Sequence, residues 1–283
     1  MAMIGPNARP TAPGGGSRAL KIRTYIANIQ GRGKDKIPQL SARTSDSDFI
    51  VLNETNAHPG DESSIGLSCR AVALSDGGNS NKKLGYGTAV MSKTFNPETD
   101  EILCREDDVE ISAIRREIAN GIFMTVVGMY CSPNDSSDKV SLFFERIRDI
   151  VAARKRAGDQ IIIVAGDPNA PIGSPRFRKL DRIRSAFRGF SVINEATRKS
   201  SQIDHVLAFY DPLHFTVSGI VVGGVGDHNA MVIDVNAEKI NAKKELWARK
   251  TVIVDRGDKI TISNDLEDIF EPFNDSLLKD TTE

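Results

Sequence analysis

The sequence predicts an α/β protein: two packed sheets with helices outside them, in one main domain. Three observations lead to that class. Apolar runs of strand length recur from Lys21 to Val235. Three segments between them carry helical signals. The composition, 40% apolar and 27% charged, is that of a globular chain. Residues 21–28 and 48–54 read as strands joined by a helix over 34–43. Residues 66–74 and 85–92 read as strands flanking a polar turn region at 75–83. Residues 109–118 and 122–130 form a hairpin, with Asn120-Gly121 as its tight turn. A long helix spans 138–157, where Val140, Phe143, Phe144, Ile147, Ile150 and Val151 recur at helical spacing and Gly158 suits the end. The apolar run Ile161 to Ala165 marks 160–165 as a central strand. A basic helix follows over 175–187, then strands at 191–194, 203–209, 214–222 and 230–235.

The two ends depart from this pattern. Residues 1–20 hold Pro6, Pro10, Pro13 and the run Gly14-Gly15-Gly16, can bury little surface, and are expected as a flexible arm. The domain is expected over 21–237. Residues 238–283 read as an appended acidic segment carrying the only tryptophan, Trp247, and a short strand at 251–254. No apolar run approaches the ~18–20 residues of a bilayer span, and residues 1–20 lack an apolar secretory core, so neither a membrane nor a secretory role is expected. Cys69, Cys104 and Cys131 are an odd number without CxxC spacing. They argue against a disulfide framework and a structural zinc site, and for a reducing, intracellular compartment, nucleus or cytoplasm. Net charge is −1, but it is unevenly spread. Residues 173–199 carry eight basic side chains against two acids, and residues 255–283 carry nine acids against three bases.

Polar clusters stand at the ends of the expected strands. Asn28 ends the first and Asn53-Glu54-Thr55 the second. Gly166-Asp167-Pro168-Asn169 ends the central strand, Ile203-Asp204-His205 opens another, and Gly226-Asp227-His228-Asn229 precedes the last. Each has a plain structural reading. Gly-Asp-Pro-Asn is good turn chemistry, Asp227-His228 fits a solvated turn, Glu54 an exposed strand end, and Asn28 a helix cap. Taken together, a carboxylate, amide or imidazole at five strand ends is a pattern that independent turns seldom produce, and strand-end loops on a rigid sheet are where active groups lie.

Seven short strings carry a resemblance. They are Asn28-Ile29-Gln30-Gly31, Leu52-Asn53-Glu54-Thr55, Gly85-Tyr86-Gly87-Thr88-Ala89-Val90, Tyr130-Cys131-Ser132-Pro133, Gly166-Asp167-Pro168-Asn169-Ala170, Ser201-Gln202-Ile203-Asp204-His205-Val206 and Gly226-Asp227-His228. In this order, over roughly Lys21 to Val235, they resemble the endonuclease/exonuclease/phosphatase family of metal-dependent phosphoesterases. Within it they look most like abasic-site endonucleases and those of non-LTR retrotransposons, which implies a mobile element or virus as the setting. The resemblance implies a four-layer α-β-β-α sandwich of two mainly antiparallel sheets. It also implies roles. Glu54, with Asn28 and Asp227, would hold Mg²⁺, with Mn²⁺ as a substitute. Asp167 would orient or deprotonate the attacking water, and Asn169 would hold that water or the phosphate. His228, oriented by Asp204, would contact the scissile phosphate, and Tyr130 would touch the phosphate or assist the leaving group. Three positions depart from the family pattern: Pro168 replaces an aromatic or aliphatic residue, Gly226 the usual serine, and Gln30 an acid or asparagine.

The chemistry agrees with these residue types. A phosphodiester is anionic and repels hydroxide, so its hydrolysis needs charge neutralisation and an in-line water. Hard carboxylate and amide oxygens suit Mg²⁺, which keeps positions for phosphate and water. The basic stretch beside Asp167, with Arg176, Arg178, Lys179 and Arg182, is what a polyanionic backbone requires, although these side chains cannot share one helical face. The expectation is therefore a nuclease that nicks nucleic acid, DNA rather than RNA, with a protein partner or self-association open to residues 238–283. Two alternatives stand beside it: a phosphatase acting on a small phosphoester, and a catalytically silent domain of this fold serving as a binding module.

Overall fold

The computed structural model describes residues 20–31, 36–60, 62–77, 85–105 and 109–237. The segment expected as an N-terminal arm, apart from Leu20, and the acidic segment 238–283 with Trp247 and the strand at 251–254 lie outside the described residues. The described residues begin with strand β1 (Leu20–Asn28), helix α1 (Lys36–Arg43) and β2 (Phe49–Asn53). A 3₁₀ turn at Glu62–Ile65 leads to β3 (Ala71–Ser75), β4 (Thr88–Ser92), β5 (Glu101–Arg105) and the hairpin β6 (Glu110–Ala119) to β7 (Ile122–Tyr130). Then come α2 (Ser137–Arg156), β8 (Ile161–Asp167), α3 (Pro175–Ala186), β9 (Phe190–Ser191), β10 (His205–Tyr210), β11 (Phe215–Val222) and β12 (Ala230–Ala237).

The strands form two six-stranded sheets, ordered β11-β12-β1-β2-β4-β3 and β5-β6-β7-β8-β10-β9. Only β1 with β2 and β7 with β8 pair in parallel; the other ladders are antiparallel. Side-chain alternation explains the layers. From β8, Ile161, Ile163 and Ala165 face the inter-sheet core, where Ile22, Ile26 and Val51 meet them from the other sheet. The intervening Ile162 and Val164 face outward and pack with Phe143, Ile147 and Leu180 of α2 and α3. Tyr25 and Ala27 of β1 likewise turn outward to Leu40 of α1. Each fully buried aliphatic side chain contributes about 1.5–3 kcal/mol, so three apolar layers stacked this way hold the four-layer order.

Local signals set the helix ends. Ser136 accepts from the Lys139 amide at 3.3 Å and Ser174 from the Phe177 amide at 3.1 Å, each as an N-cap, and Pro175 occupies the first turn of α3. Gly121 takes a positive φ of 68° in the two-residue hairpin turn. Several boundaries differ from the sequence expectation. The strand expected over 85–92 starts only at Thr88, after the left-handed Gly85 and Gly87. The one expected over 203–209 starts at His205, because the Ile203 and Asp204 amides donate to the Thr197 hydroxyl instead of to a neighbouring strand. The strand expected over 66–74 starts only at Ala71: the 3₁₀ turn ends at Ile65, and left-handed Gly66 turns the chain where the strand would begin. The strand expected over 191–194 shrinks to Phe190–Ser191, because the Ile193 carbonyl is taken by the Gln202 side chain at 2.8 Å. The five-residue β5 has no counterpart in the sequence expectation; it is a short edge strand whose register with β6 is interrupted between Ile102 and Cys104. Among the described residues, no helix is long and apolar enough to cross a membrane.

Candidate active site

Register brings the polar strand ends to one edge of both sheets. Asn28 pairs with Asn53 where β1 and β2 end, and Tyr130 pairs with Asp167 where β7 and β8 end. β10 runs antiparallel to β8 with His205 opposite Gly166, which sets Asp204 beside Asp167. Asp227 and His228 lead directly into β12, two strands from β2. Gly166 makes this approach feasible. At φ 143° a Cβ there would lie 2.1 Å from the Met129 carbonyl oxygen and 2.9 Å from Asn53 Oδ1, so no larger residue fits. Gln30, Glu54 and Asn169 take left-handed backbone at φ 48°, 53° and 47°. For non-glycine residues that conformation costs roughly 1–2 kcal/mol, and three such residues gathered at one site mark it as a functional candidate.

The hydrogen bonds link both sheets. Asn28 Nδ2 donates to Glu54 Oε1 at 2.8 Å and to Asp167 Oδ2 at 3.0 Å. Asn53 Nδ2 donates to Thr88 Oγ1 at 2.9 Å and the Met129 carbonyl at 3.0 Å, and its Oδ1 accepts from the Asp167 amide at 3.1 Å. Asp167 Oδ1 accepts from the Asn169 amide at 2.9 Å, and Asn169 Nδ2 donates to the Cys131 carbonyl at 3.0 Å. His228 Nδ1 faces both Asp204 oxygens, at 3.2 and 3.0 Å, and lies 3.8 Å from Asp167. Its Nε2 stands 3.6 Å from Asp227 Oδ1. Asp227 is also gripped by the Gln30 side-chain amide, which donates to Oδ1 and accepts from the Asp227 backbone N–H at 3.3 Å. A Cβ at residue 226 would come within 3.0 Å of Gln30 Oε1. The Gln30 and Gly226 departures are thus one arrangement: the missing side chain leaves room for the glutamine that holds Asp227.

Burial sets the electrostatics. Burial, then the Asp204 charge, push the Asp167 carboxyl well above its ordinary range, against the pull of His228 and the donors Asn169 and Asn28. Burial disfavours the His228 cation, but the Asp204 hydrogen bond and charge, with Asp167 and Asp227, outweigh it and raise the imidazole. Burial, then the charges of Glu54, Asp167 and Glu110, push the Tyr130 phenol far above its usual value, so it stays a proton donor. Burial likewise lifts the Cys131 thiol to about 12, which leaves it inert. His205 is a packing residue: its Nε2 meets the Ala170 carbonyl at 2.7 Å, and burial lowers its pKa.

The expected cations divide. Arg176 is drawn into the scaffold, where its guanidinium donates to the carbonyls of Ser132 at 2.9 Å and of Cys131 and Pro168 at 3.3 Å. Arg178 is exposed and caps the Gly173 carbonyl, Lys179 reaches Ser141 on α2, and Arg182 is exposed. Two residues to which the sequence expectation assigns no role belong to the site. Thr197, fully buried, accepts at its hydroxyl from the Ile203 and Asp204 amides at 3.2 and 3.1 Å, and its carbonyl accepts from the Asn229 amide at 2.6 Å. Arg198 donates to Asp227. Thr197 carries no sequence signal beyond its position a few residues before the Ser-x-Ile-Asp string, and Arg198 adds to that only its membership of the basic stretch 173–199.

A sequence profile described as "Endonuclease/Exonuclease/phosphatase family" matches residues 15–228, three quarters of the chain. The chain belongs to the endonuclease/exonuclease/phosphatase family. No curated protein matches by sequence. Solved structures of this endonuclease/exonuclease/phosphatase fold align at low identity. A family member from Bacteroides vulgatus aligns at a TM-score of 0.58 and 14% identity, over 77% of this chain and 99% of its own. The Bacteroides thetaiotaomicron mannosyl-6-phosphatase aligns at 0.54 and 12%, over 76% and 99%. The human Nocturnin catalytic domain, solved with a sulfate anion, aligns at 0.56 and 12%, over 76% and 93%. These likenesses establish the fold, and the family description places the chain among hydrolases of phosphoesters.

The donor set fits the divalent cation this family implies. Glu54, Asp167, Asp204 and Asp227 gather four carboxylates against one imidazole and one guanidinium, an excess of partly buried negative charge with hard oxygen donors. Asp167, Asp204 and His228 bring ligand atoms within 4.8 Å of one another, but all three are buried and His228 is already bonded to Asp204. Glu54 is partly exposed and Asp227 exposed, so the donors a cation can reach from solvent are theirs. Asn28 turns its oxygen to the Gln30 amide at 3.1 Å and keeps a second lone pair.

Proposed function

We propose that the chain is a divalent-metal-dependent phosphodiesterase that nicks nucleic acid by attack of water on phosphorus. The observation that carries this reading is the Asn28 amide, which ties Glu54 to Asp167 across the two sheets with the Asp204–His228 pair directly behind. Glu54 and Asp227, with Asn28, would hold Mg²⁺ or Mn²⁺, which supplies Lewis acidity to a phosphate oxygen. Asp167 takes the proton of the attacking water. Asn169 Oδ1, which has no partner among the described residues, accepts the second water hydrogen and fixes its aim. His228, held as the imidazolium by Asp204 at Nδ1, donates from Nε2 to the oxyanion that grows on phosphorus. Tyr130, protonated throughout, donates to the departing ester oxygen. Water oxygen bonds to phosphorus, the bridging P–O bond breaks, and solvent returns a proton to the leaving alkoxide.

Nucleic acid is the favoured substrate because α3 and the turn after it carry the basic stretch a polyanionic backbone requires. A phosphatase acting on a small phosphoester is the second reading. The retraction of Arg176 into the scaffold favours it, since that removes one cation from the surface a polymer would touch. Conversion of supercoiled plasmid to open circle in Mg²⁺ or Mn²⁺, and its suppression by EDTA, tests the first reading. Release of phosphate from a sugar phosphate or mononucleotide, without plasmid nicking, would replace it with the second. No turnover of either substrate with either metal would leave the catalytically silent reading.

A further inference from the structure

The cations of the site converge on one carboxylate. Arg198 Nε and Nη2 both donate to Asp227 Oδ2, at 3.0 and 2.7 Å, while His228 Nε2 stands 3.6 Å from Asp227 Oδ1. The Asp227 carboxylate therefore bridges an imidazole and a guanidinium as two oxygens of a bound phosphate would. Arg198 Nη1 has no partner among the described residues, and the Arg198 and Asp227 side chains are each 40% exposed. An ion pair so open to solvent exchanges readily, and a guanidinium fork prefers an anion that it can grip with two nitrogens on two oxygens. The Asp227 hydrogen bond, and then the charges of Asp227, Asp167 and Glu54, all favour the Arg198 cation.

The backbone that carries Arg198 is built rather than loose. Arg198 and Ser201 form a β-bridge around Lys199, which takes left-handed backbone at φ 52°. Thr197, next to Arg198, fastens this turn to Asp204 through its hydroxyl and to Asn229 through its carbonyl. The turn that presents Arg198 is thus the same element that sets Asp204 behind His228. Four carboxylates would otherwise repel an incoming phosphate, and one imidazolium is a small counterweight.

We propose that Arg198 is a phosphate ligand of this site, shared with Asp227 when the site is empty of substrate, and that with His228 it clamps the non-bridging oxygens of the scissile phosphate. The proposal rests on the phosphoesterase reading. It gives Asp227 a second task, to park Arg198 until an anion arrives.

The test uses the full chain with Arg198→Gln, Arg198→Lys and Asp227→Asn. Binding of inorganic phosphate is titrated by calorimetry in saturating Mg²⁺, binding of Mn²⁺ by electron paramagnetic resonance, and nicking by kcat and KM. Arg198→Gln is expected to weaken phosphate at least tenfold, to lower kcat/KM by about 10²–10³, and to leave Mn²⁺ affinity equal or tighter, because a competing cation has gone. Arg198→Lys keeps the charge without the fork and should fall between. Phosphate affinity and kcat/KM within twofold of the unsubstituted chain in Arg198→Gln would overturn the proposal. So would losses that match those of Asp227→Asn in every readout, since Arg198 would then act only by positioning that carboxylate. If the unsubstituted chain binds phosphate but turns over no ester, the hydrolase reading falls while the Arg198 phosphate contact is still decided by the titration.

Discussion

Asp167 is buried and has a negative charge beside it at Asp204, and its raised pKa follows from both. A raised pKa is what the proposed role, accepting the proton of the attacking water, would use. The isosteric Asp167→Asn removes the charge and keeps the shape. It is expected to lower plasmid nicking by about 10²–10⁴, the range for losing a positioned general base. It should leave the metal-free protein as stable as before or more so at pH 8, since a buried ionisable group has gone. Melting temperature and nicking rate measured side by side check both halves, and an unfolded Asn variant or one that still nicks would refute the assignment. Single side chains were unevenly legible. Glu54, Asp167, Asp204 and His228 stand at strand ends in recognisable strings, and the structure brings them together. Thr197 and Arg198 belong to no recognisable string, because their partners Asp204, Asn229 and Asp227 are chosen by the path of the chain rather than by spacing.

Helix α3 shows why a charge count is not an interface. Its apolar residues Leu180 and Ile183 bury against α2 and β8, and the same rotation that buries them fixes where each arginine points. Arg176 turns inward to four carbonyls, those of Cys131, Ser132, Pro133 and Pro168, whereas Arg178 and Arg182 stay in solvent. The two kinds of arginine should respond differently to replacement by glutamine. Arg178→Gln and Arg182→Gln are each expected to weaken DNA binding evenly across sequences and to reduce the salt slope by about 1, with no change in melting. Arg176→Gln is expected to cost about 1–3 kcal/mol of stability, because the buried Pro168 carbonyl loses its donor, with little change in that slope. Filter binding at several salt concentrations, beside urea unfolding, separates the two. An unchanged slope in Arg178→Gln and Arg182→Gln would mean that the polymer, if bound, lies elsewhere. The long helix α2 and the central strand β8 were legible because their apolar periods are strong. β5 was not, and β9 was expected over 191–194, longer than the Phe190–Ser191 observed, because two- to five-residue edge strands carry too little pattern to stand out from a loop.

Taken whole, the molecule concentrates negative charge at one edge of its sheets, and that concentration makes its stability depend on pH and on metal. Asp167 and His228 both have folded pKa values above their ordinary ones. A raised group stabilises the fold while it is protonated, fully below its unfolded value, and this contribution is lost as pH rises through its folded value. For Asp167 that loss begins above its ordinary 3.8, and for His228 above 6.5. The metal-free protein should therefore lose melting temperature on going from pH 6 to pH 8.5. A divalent cation favours the ionised carboxylates, so the rise in melting temperature with Mn²⁺ should be larger at pH 8 than at pH 5.5. A Mn²⁺ effect that is flat with pH, or larger in acid, would count against a cation at these carboxylates. What the chain determined by itself is the set of elements and the order of the polar strand ends, because hydrophobic period and turn chemistry are local properties. Only the tertiary structure decided which ends meet, that Gln30 and Gly226 act as a pair, that Arg176 faces the scaffold, and that Arg198 faces the site. Those outcomes depend on strand order and register between residues up to two hundred positions apart, and no local pattern encodes such a distance.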